Sequence, residues 1–271
     1  LRACQKRKAL VQVKRVYSHL VQSEWKFNTY INDYLVMAFA KCGAIEDALD
    51  IAHKLPHRTV YSWTALISAY TELGRGQEAV ALFQFMQEDG VKPNHYTFVS
   101  LLKACGSIGA IEKGKQIPTE IINVGLLEKS IMLGTALIDM FAKCGELSKA
   151  QEAFEQLSEK NIVSWTVLIA GYAQHKCGDE ALKCFKQMQS HGFSPDAVIY
   201  ICILKVCGGM QAVDRGQTVH AEIVKEEYEN HPLISTALVD MYGKCSLFQE
   251  ARFIHDSLNV KTVISWTSLI A

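Results

Sequence analysis

The sequence predicts an all-α fold, a right-handed α-solenoid of stacked helix-turn-helix repeats. Three observations carry the prediction. Lys-Cys-Gly occurs at Lys41-Cys42-Gly43 and Lys143-Cys144-Gly145, with a degenerate copy at Lys244-Cys245-Ser246. Ser-Trp-Thr keeps the same beat at Ser62-Trp63-Thr64, Ser164-Trp165-Thr166 and Ser265-Trp266-Thr267, so both series are spaced by 102 and then 101 residues. Within that period apolar residues recur at helical spacing, as in Leu66, Ile67, Tyr70 and then Ala79, Leu82, Phe83, Met86. Two unrelated markers on one long period define an array, and arrays bury apolar faces between neighbouring repeats rather than around one centre.

The long period divides into three unequal repeats. Leu1-Arg2-Ala3-Cys4 matches the middle of one, so 1–28 is expected to be a partial long repeat. Full repeats are expected at 29–59, 60–94, 95–130, 131–161, 162–196, 197–231 and 232–262, and 263–271 begins another. In 60–94, Gly74 and Gly76 separate two helical stretches and Gly90 closes the second. Pro93-Asn94 then breaks the chain and places Asn94 to cap the next helix. Asn161 and Asp196 precede helices in the same way. Only five prolines occur, none deep inside a predicted first helix, and no flexible linker interrupts the chain. Residues 1–271 are therefore expected to form a single array. In 263–271 a first helix stands without its second, leaving Ile264, Trp266, Leu269 and Ile270 partly uncovered, so the chain is expected to continue in a longer protein.

Composition narrows the function. The chain is 49% hydrophobic and 21% charged, and 28 basic against 28 acidic residues cancel to a formal charge of +0. Global charge thus gives no support for nucleic-acid binding and leaves only a local stripe. Nine cysteines are present without a Cys-x-x-Cys, which indicates neither a zinc ribbon nor a redox motif. Cys42, Cys144 and Cys245 recur at one repeat position, which favours small buried side chains over ligands. No apolar run reaches the ~18 residues of a membrane span. No metal, cofactor, membrane or small-molecule substrate is expected.

Val60-Tyr61-Ser62-Trp63-Thr64-Ala65-Leu66-Ile67 through Gly90-Val91-Lys92-Pro93-Asn94 resembles a pentatricopeptide repeat, as does 162–196 with its ending Gly192-Phe193-Ser194-Pro195-Asp196. Leu101-Leu102-Lys103-Ala104-Cys105 and Ala136-Leu137-Ile138-Asp139-Met140-Phe141-Ala142-Lys143-Cys144-Gly145 resemble the long and short variants. The order standard, long, short resembles the PLS subclass of plant organellar proteins. The resemblance implies sequence-specific binding of single-stranded RNA at one base per repeat. It further implies selection of cytidines for C-to-U editing in mitochondrial or chloroplast transcripts, with editing-complex proteins as further partners. A deaminase-like domain would lie outside these residues, and the chain itself is not expected to be an enzyme.

The resemblance also implies which residues read RNA: the fifth and last of each repeat select the base, and the second packs on its plane. Thr64 with Asn94, and Thr135 with Asn161, are the combination associated with adenine. Thr166 with Asp196 is the combination for guanine. Thr236 with Thr262 is an incomplete pair with a purine preference, and Asp33 with Thr59 departs from the pattern and receives no base. Tyr61, Met132, Val163, Leu233 and Ile264 are the base-packing residues. Val99 and Ile201, at the fifth positions of long repeats, cannot hydrogen-bond to a base. With the N-terminus at the RNA 5′ end the segment favours N-A-N-A-G-N-R. Lys41, Lys143 and Lys244 recur eight residues after position five and are placed to contact phosphate, although Glu72 and Gln174 interrupt the ladder.

Plainer roles compete with each assignment. Asn94, Asn161 and Asp196 are also helix caps, and the threonines can bond to the preceding turn. Trp63, Trp165 and Trp266 are expected in the core. His220-Ala221-Glu222 fits half of a zinc-deaminase signature, but the Pro-Cys-x-x-Cys half is missing and His220 is read as structural. A tetratricopeptide-like protein-binding scaffold shares the architecture but not its Trp-x-x-Leu-Gly-x-x-Tyr pattern. An RNA stability, splicing or cleavage factor shares the repeats.

Overall fold

The computed structural model describes residues 9–23, 28–55, 57–110, 117, 130–228, 231–257 and 266–267. Among them are 14 helices and no strand, the all-α class the periodicity predicts. Two compact units divide the chain, Leu1–Cys144 and Gly145–Ala271. The first holds α1 (Leu10–Val21), α2 (Thr29–Lys41), α3 (Ile45–Lys54), α4 (Val60–Glu72), α5 (Gly76–Glu88), α6 (His95–Ile108) and α7 (Ile131–Lys143). The second holds α8 (Leu147–Glu155), α9 (Ile162–Gln174), α10 (Gly178–Ser190), α11 (Ala197–Met210), α12 (Val213–Lys225), α13 (Pro232–Lys244) and α14 (Phe248–Ser257). No helix among the described residues is long and apolar enough to cross a membrane.

In the first unit, side-chain caps start the first helix of each hairpin. The Ile31 amide donates to Asn28 Oδ1 at 3.1 Å to open α2. Before α4, the Tyr61 amide donates to Thr59 Oγ1 at 3.1 Å and the Thr59 amide to Ser62 Oγ at 3.0 Å. Before α6, the Thr97 amide donates to Asn94 Oδ1 at 3.0 Å. Each cap satisfies a donor that the first turn leaves open, a contribution of about 1 kcal/mol. The second helices α3 and α5 have no side-chain cap; they follow tight turns at Gly43 (φ 80°) and Gly74 (φ 73°). Those left-handed conformations favour glycine because it has no Cβ to clash.

Hairpins α2–α3 and α4–α5 pack side by side, and α6 and α7 extend the stack within the first unit. Leu35, Phe39, Leu66, Ile67, Phe98, Leu102 and Leu133 are fully buried between them. Phe83 of α5 meets Phe98 of α6 at 6.1 Å between ring centroids. At Gly76 a Cβ would lie 2.6 Å from Ile108 Cγ2, so the close approach of α5 to α6 requires glycine.

The second unit repeats the scheme. The Ser164 amide donates to Asn161 Oδ1 at 2.9 Å to open α9, and the Ile199 amide to Asp196 Oδ1 at 2.9 Å to open α11. Pro232 opens α13, where its fixed φ fits and the missing N–H costs nothing. Lys176, Gln211 and Ser246 take the left-handed turn positions here without glycine. Leu168, Ile169, Ile203, Leu204, Ile234 and Val239 form the core. The recurrent cysteines are half-buried rather than core: Cys42, Cys144 and Cys245 each end a first helix, where the side chain sits at the rim of the stack.

Candidate nucleic-acid interface

Every described first helix buries its third and fourth residues or their neighbours on the hairpin and turns its second residue outward. Those second residues are all large and apolar. In the first unit they are Tyr30, Tyr61, Tyr96 and Met132, in the second Val163, Val198 and Leu233, and they are 45–78% exposed. Scattered exposed apolar side chains are ordinary, but a row at one repeat position is a surface kept apolar for contact. Tyr61, Met132, Val163 and Leu233 were expected on this row; Ile264 lies outside the described residues. Tyr30, Tyr96 and Val198 were missed. Counting one residue on from the start of 29–59, 95–130 and 197–231 would have found them.

In the first unit, Tyr61, Thr64, Ser68 and Glu72 of α4 share a groove of about 430 Å³ with Asn94, Tyr96 and Lys41. The expected readers Thr64 and Asn94 are joined through a third residue. Thr64 Oγ1 lies 2.7 Å from Thr97 Oγ1, and the Thr97 hydroxyl donates to Asn94 Oδ1 at 3.1 Å. Because the Thr97 amide also donates to Oδ1, that atom must be the carbonyl oxygen. The Asn94 backbone amide donates to Thr97 Oγ1 at 3.3 Å, and its side-chain Nδ2 is bonded to no described residue.

Elsewhere in the first unit, Asp33 and Thr59 come together directly, the Thr59 hydroxyl donating to Asp33 Oδ2 at 2.8 Å. Asp33 is buried and its Oδ1 has no hydrogen-bond partner. Burial pushes its carboxyl above the usual range, opposed by hydrogen bonds from Thr59 and Ser62. Val99 is buried. The Thr135 hydroxyl donates to the Ile131 carbonyl at 2.8 Å.

In the second unit, the Thr166 hydroxyl donates to the Ile162 carbonyl at 2.7 Å and the Thr236 hydroxyl to the Pro232 carbonyl at 2.8 Å. The back-bonded state leaves a threonine oxygen able only to accept. Asp196 and Asn161 each spend Oδ1 on capping and keep their second polar atom. Ile201 is half-buried and offers no polar group. Thr262 lies outside the described residues.

The lysines are exposed. Lys143 Nζ sits 2.7 Å from Asp139 Oδ2 and Lys244 Nζ 2.7 Å from Asp240 Oδ2, four residues back on their own helices. Exposed pairs of this kind contribute about 0.2–1 kcal/mol, little enough for a phosphate to displace the carboxylate. Lys41 has Met37 at that place and lines the groove instead. Trp63 and Trp165 are buried, as expected, and Trp165 stacks edge-on with Phe154 at 4.5 Å. Trp266 is 47% exposed beside the His255 ring, 4.4 Å away. His220 Nδ1 lies 2.9 Å from the Tyr242 hydroxyl, a packing contact between α12 and α13.

Residues 58–107 and 160–209 match the model of the PPR repeat family, and residues 135–162 that of the PPR repeat. A putative mitochondrial pentatricopeptide repeat-containing protein of Arabidopsis thaliana is 35% identical over 270 residues, covering 100% of this chain and 43% of the relative. A chloroplastic pentatricopeptide repeat-containing protein of the same plant is 33% identical, covering 100% of this chain and 44% of that one. The chain thus spans less than half the length of these relatives. Among solved structures, PPR10 in complex with an 18-nt psaJ RNA element aligns with a TM-score of 0.79 at 17% identity, over 95% of this chain and 39% of that one. PPR10 from maize aligns with a TM-score of 0.67 at 22% identity, over 88% and 36%. At these identities the likeness is one of fold.

Proposed function

Residues 58–107, 135–162 and 160–209 are pentatricopeptide repeats, and from that premise we propose that this chain binds single-stranded RNA by sequence, one base to a repeat. The observation that supports it best is the groove of 60–94, lined by the exposed rings of Tyr61 and Tyr96 together with Thr64 and Asn94. Its site of action is the mitochondrion or chloroplast, the compartments named for its relatives.

Hydrogen-bond accounting gives the two best-described readers different preferences. The single Thr97 hydroxyl proton goes to Asn94 Oδ1, so Thr64 donates to Thr97 and keeps its lone pairs. Thr64 then offers an acceptor and Asn94 Nδ2 a donor. Adenine matches that pair, with an amine that donates and an adjacent ring nitrogen that accepts. Thr166 and Asp196 offer acceptors only, since the Thr166 proton is held by the Ile162 carbonyl and the free Asp196 oxygen is anionic. Guanine matches that pair, with a ring N–H and an amine that both donate.

The finer role is selection of cytidines for C-to-U editing, in company with editing proteins. It rests on the standard, long, short order of repeats, and it makes this segment the address rather than the catalyst. In plants lacking the gene, one or a few cytidines should remain unconverted while transcript abundance and splicing hold. Altered abundance or splicing with normal conversion would assign a stability or splicing role instead.

The direct test is a titration at stated salt with single-stranded RNAs varied at one nucleotide. Asn94→Asp keeps the cap, as Asp196 shows, and should move preference at the facing nucleotide from adenine to guanine by about tenfold. Unchanged preference in a folded variant sinks the base assignments. Failure of the native chain to bind any RNA at low salt sinks the RNA reading itself.

A further inference from the structure

Behind the readers of 60–94 stands a residue that no base can touch. Thr97, the third residue of α6, is fully buried and does not line the groove that Thr64 and Asn94 share. Its hydroxyl has three partners. It accepts from the Asn94 backbone amide at 3.3 Å, and it lies 2.7 Å from Thr64 Oγ1 and 3.1 Å from Asn94 Oδ1. A hydroxyl has a single proton to give. Asn94 Oδ1 can only accept, so spending that proton on Thr64 would set two acceptors against each other. The proton therefore goes to Asn94, and Thr64 must donate its own.

That arrangement fixes both readers. Thr64 Oγ1 is held toward α6 rather than its own helix, with its lone pairs left for the groove. Asn94 Oδ1 is held by the Thr97 amide and hydroxyl together, so its Nδ2 cannot change places with it. Thr135 and Thr166 bond instead to the Ile131 and Ile162 carbonyls of their own helices.

Helix capping alone does not account for the hydroxyl. The third residue of a first helix is Ser62 after Asp33 and Thr97 after Thr64, but Leu133 after Val99 and Ile234 after Ile201, and all four are buried. A buried hydroxyl costs free energy unless it is bonded. Here it stands where the preceding repeat has a polar fifth residue to bond, and Ser62 does reach Asp33. Ile199 after Thr166 is the exception, and there the threonine turns back on its own helix.

Resting on the RNA reading above, we propose that Thr97 is a positioning residue for base selection by 60–94. It sets where Thr64 presents its oxygen and which way Asn94 presents its amide, without touching the base. Selection by this repeat is then a property of three residues, and the third belongs to the repeat that follows.

The test uses the 271-residue chain and single-stranded RNAs that differ only at the nucleotide facing 60–94. Thr97→Val removes the hydroxyl and keeps the shape. It should cut the preference for adenine over the other three bases about tenfold, chiefly by weakening the adenine RNA. Thr97→Ser restores the hydroxyl and should keep the native ratio. Thr97→Ile, with the residue of the second unit, serves as a second replacement, and a melt shows that each variant is folded. A merely structural role would lower affinity for all four RNAs alike and leave the ratio unmoved. That outcome, or native affinities throughout, overturns the positioning role and leaves the RNA reading intact. A ratio lost in Thr97→Ser as fully as in Thr97→Val also overturns it. A native chain that binds RNA without preference at that nucleotide overturns it together with the base assignments. One that binds none of the RNAs overturns the RNA reading too.

Discussion

In the first compact unit Phe83 packs on Phe98 with centroids 6.1 Å apart; in the second, Phe185 meets Tyr200 at 6.4 Å. Trp63 and Trp165 are buried alike, and Asn94 and Asp196 cap the following helices through the same oxygen. The outward residues do not repeat. Tyr61 becomes Val163 and Tyr96 becomes Val198, and one buried position changes as well, Thr97 to Ile199. The last change redirects a reader. Thr64 bonds across to Thr97, whereas Thr166, in a repeat where isoleucine takes the place of Thr97, bonds to its own Ile162 carbonyl. The shared core residues thus keep the two repeats alike, while the outward second residues and the one buried neighbour of a reader, Thr97 or Ile199, set them apart.

The largest expected effect tests the equality of the cores. Trp63→Ala and Trp165→Ala should each destabilise by about 3–5 kcal/mol, the cost of emptying a large buried site. Urea unfolding of the two variants should give losses of similar size. Because both Nε1 atoms are buried without a hydrogen-bond partner, Trp→Phe should cost far less than Trp→Ala at either site. A loss confined to one unit would break the equivalence.

Next come the caps. Asn94→Ala and Asp196→Ala should each cost about 1 kcal/mol. Asn94→Asp and Asp196→Asn should leave stability near native and exchange base preference between the two repeats. Stability that falls as far with the Asp/Asn exchange as with alanine would mean the second polar atom has a structural role and is not available to a base.

A smaller effect is expected from Thr97→Ile, which gives the first unit the residue of the second. The Asn94 cap survives, because it takes the backbone amide of residue 97. Thr64 loses its cross-helix partner and should turn to the Val60 carbonyl, as Thr166 does to Ile162. Trading one hydrogen bond for another leaves a net change under about 1 kcal/mol. A structure of the variant checks it directly; a Thr64 rotamer that stays put would show that something other than Thr97 holds it.

Much of this was legible in the sequence. The 102-residue period marks equivalent packing residues, so burial of Trp63 and Trp165 followed from recurrence, and the caps followed from Asn or Asp standing just before an apolar run. The tyrosine row was not read beyond Tyr61. An aromatic residue in an amphipathic helix is assigned to the core by default, although the repeat register puts Tyr30 and Tyr96 at the same second position as Tyr61. Nor could sequence join Thr64 to Thr97, which are 33 residues apart and meet only once α4 and α6 pack. The ion pairs of Lys143 and Lys244 were legible too, since Asp139 and Asp240 stand four residues earlier on the same helices.

The smallest effect concerns Asp33, which stands where the second unit's short repeat has Thr236. Its carboxyl is buried, with Oδ1 unpartnered and its pKa raised by desolvation more than the Thr59 and Ser62 hydrogen bonds lower it. A carboxyl whose folded pKa exceeds its unfolded value binds its proton more tightly in the folded state. Its stabilising contribution is full below the unfolded pKa of about 4 and is lost as pH rises through the folded value. At neutral pH the folded chain therefore carries a buried charge at a cost. Asp33→Asn can still accept from Thr59 and carries no charge, so it should be more stable than native at pH 7 and equal to it below about pH 4. Urea unfolding of both chains at three pH values measures the difference. A gain that is the same at every pH would place its origin in packing rather than in the buried carboxylate.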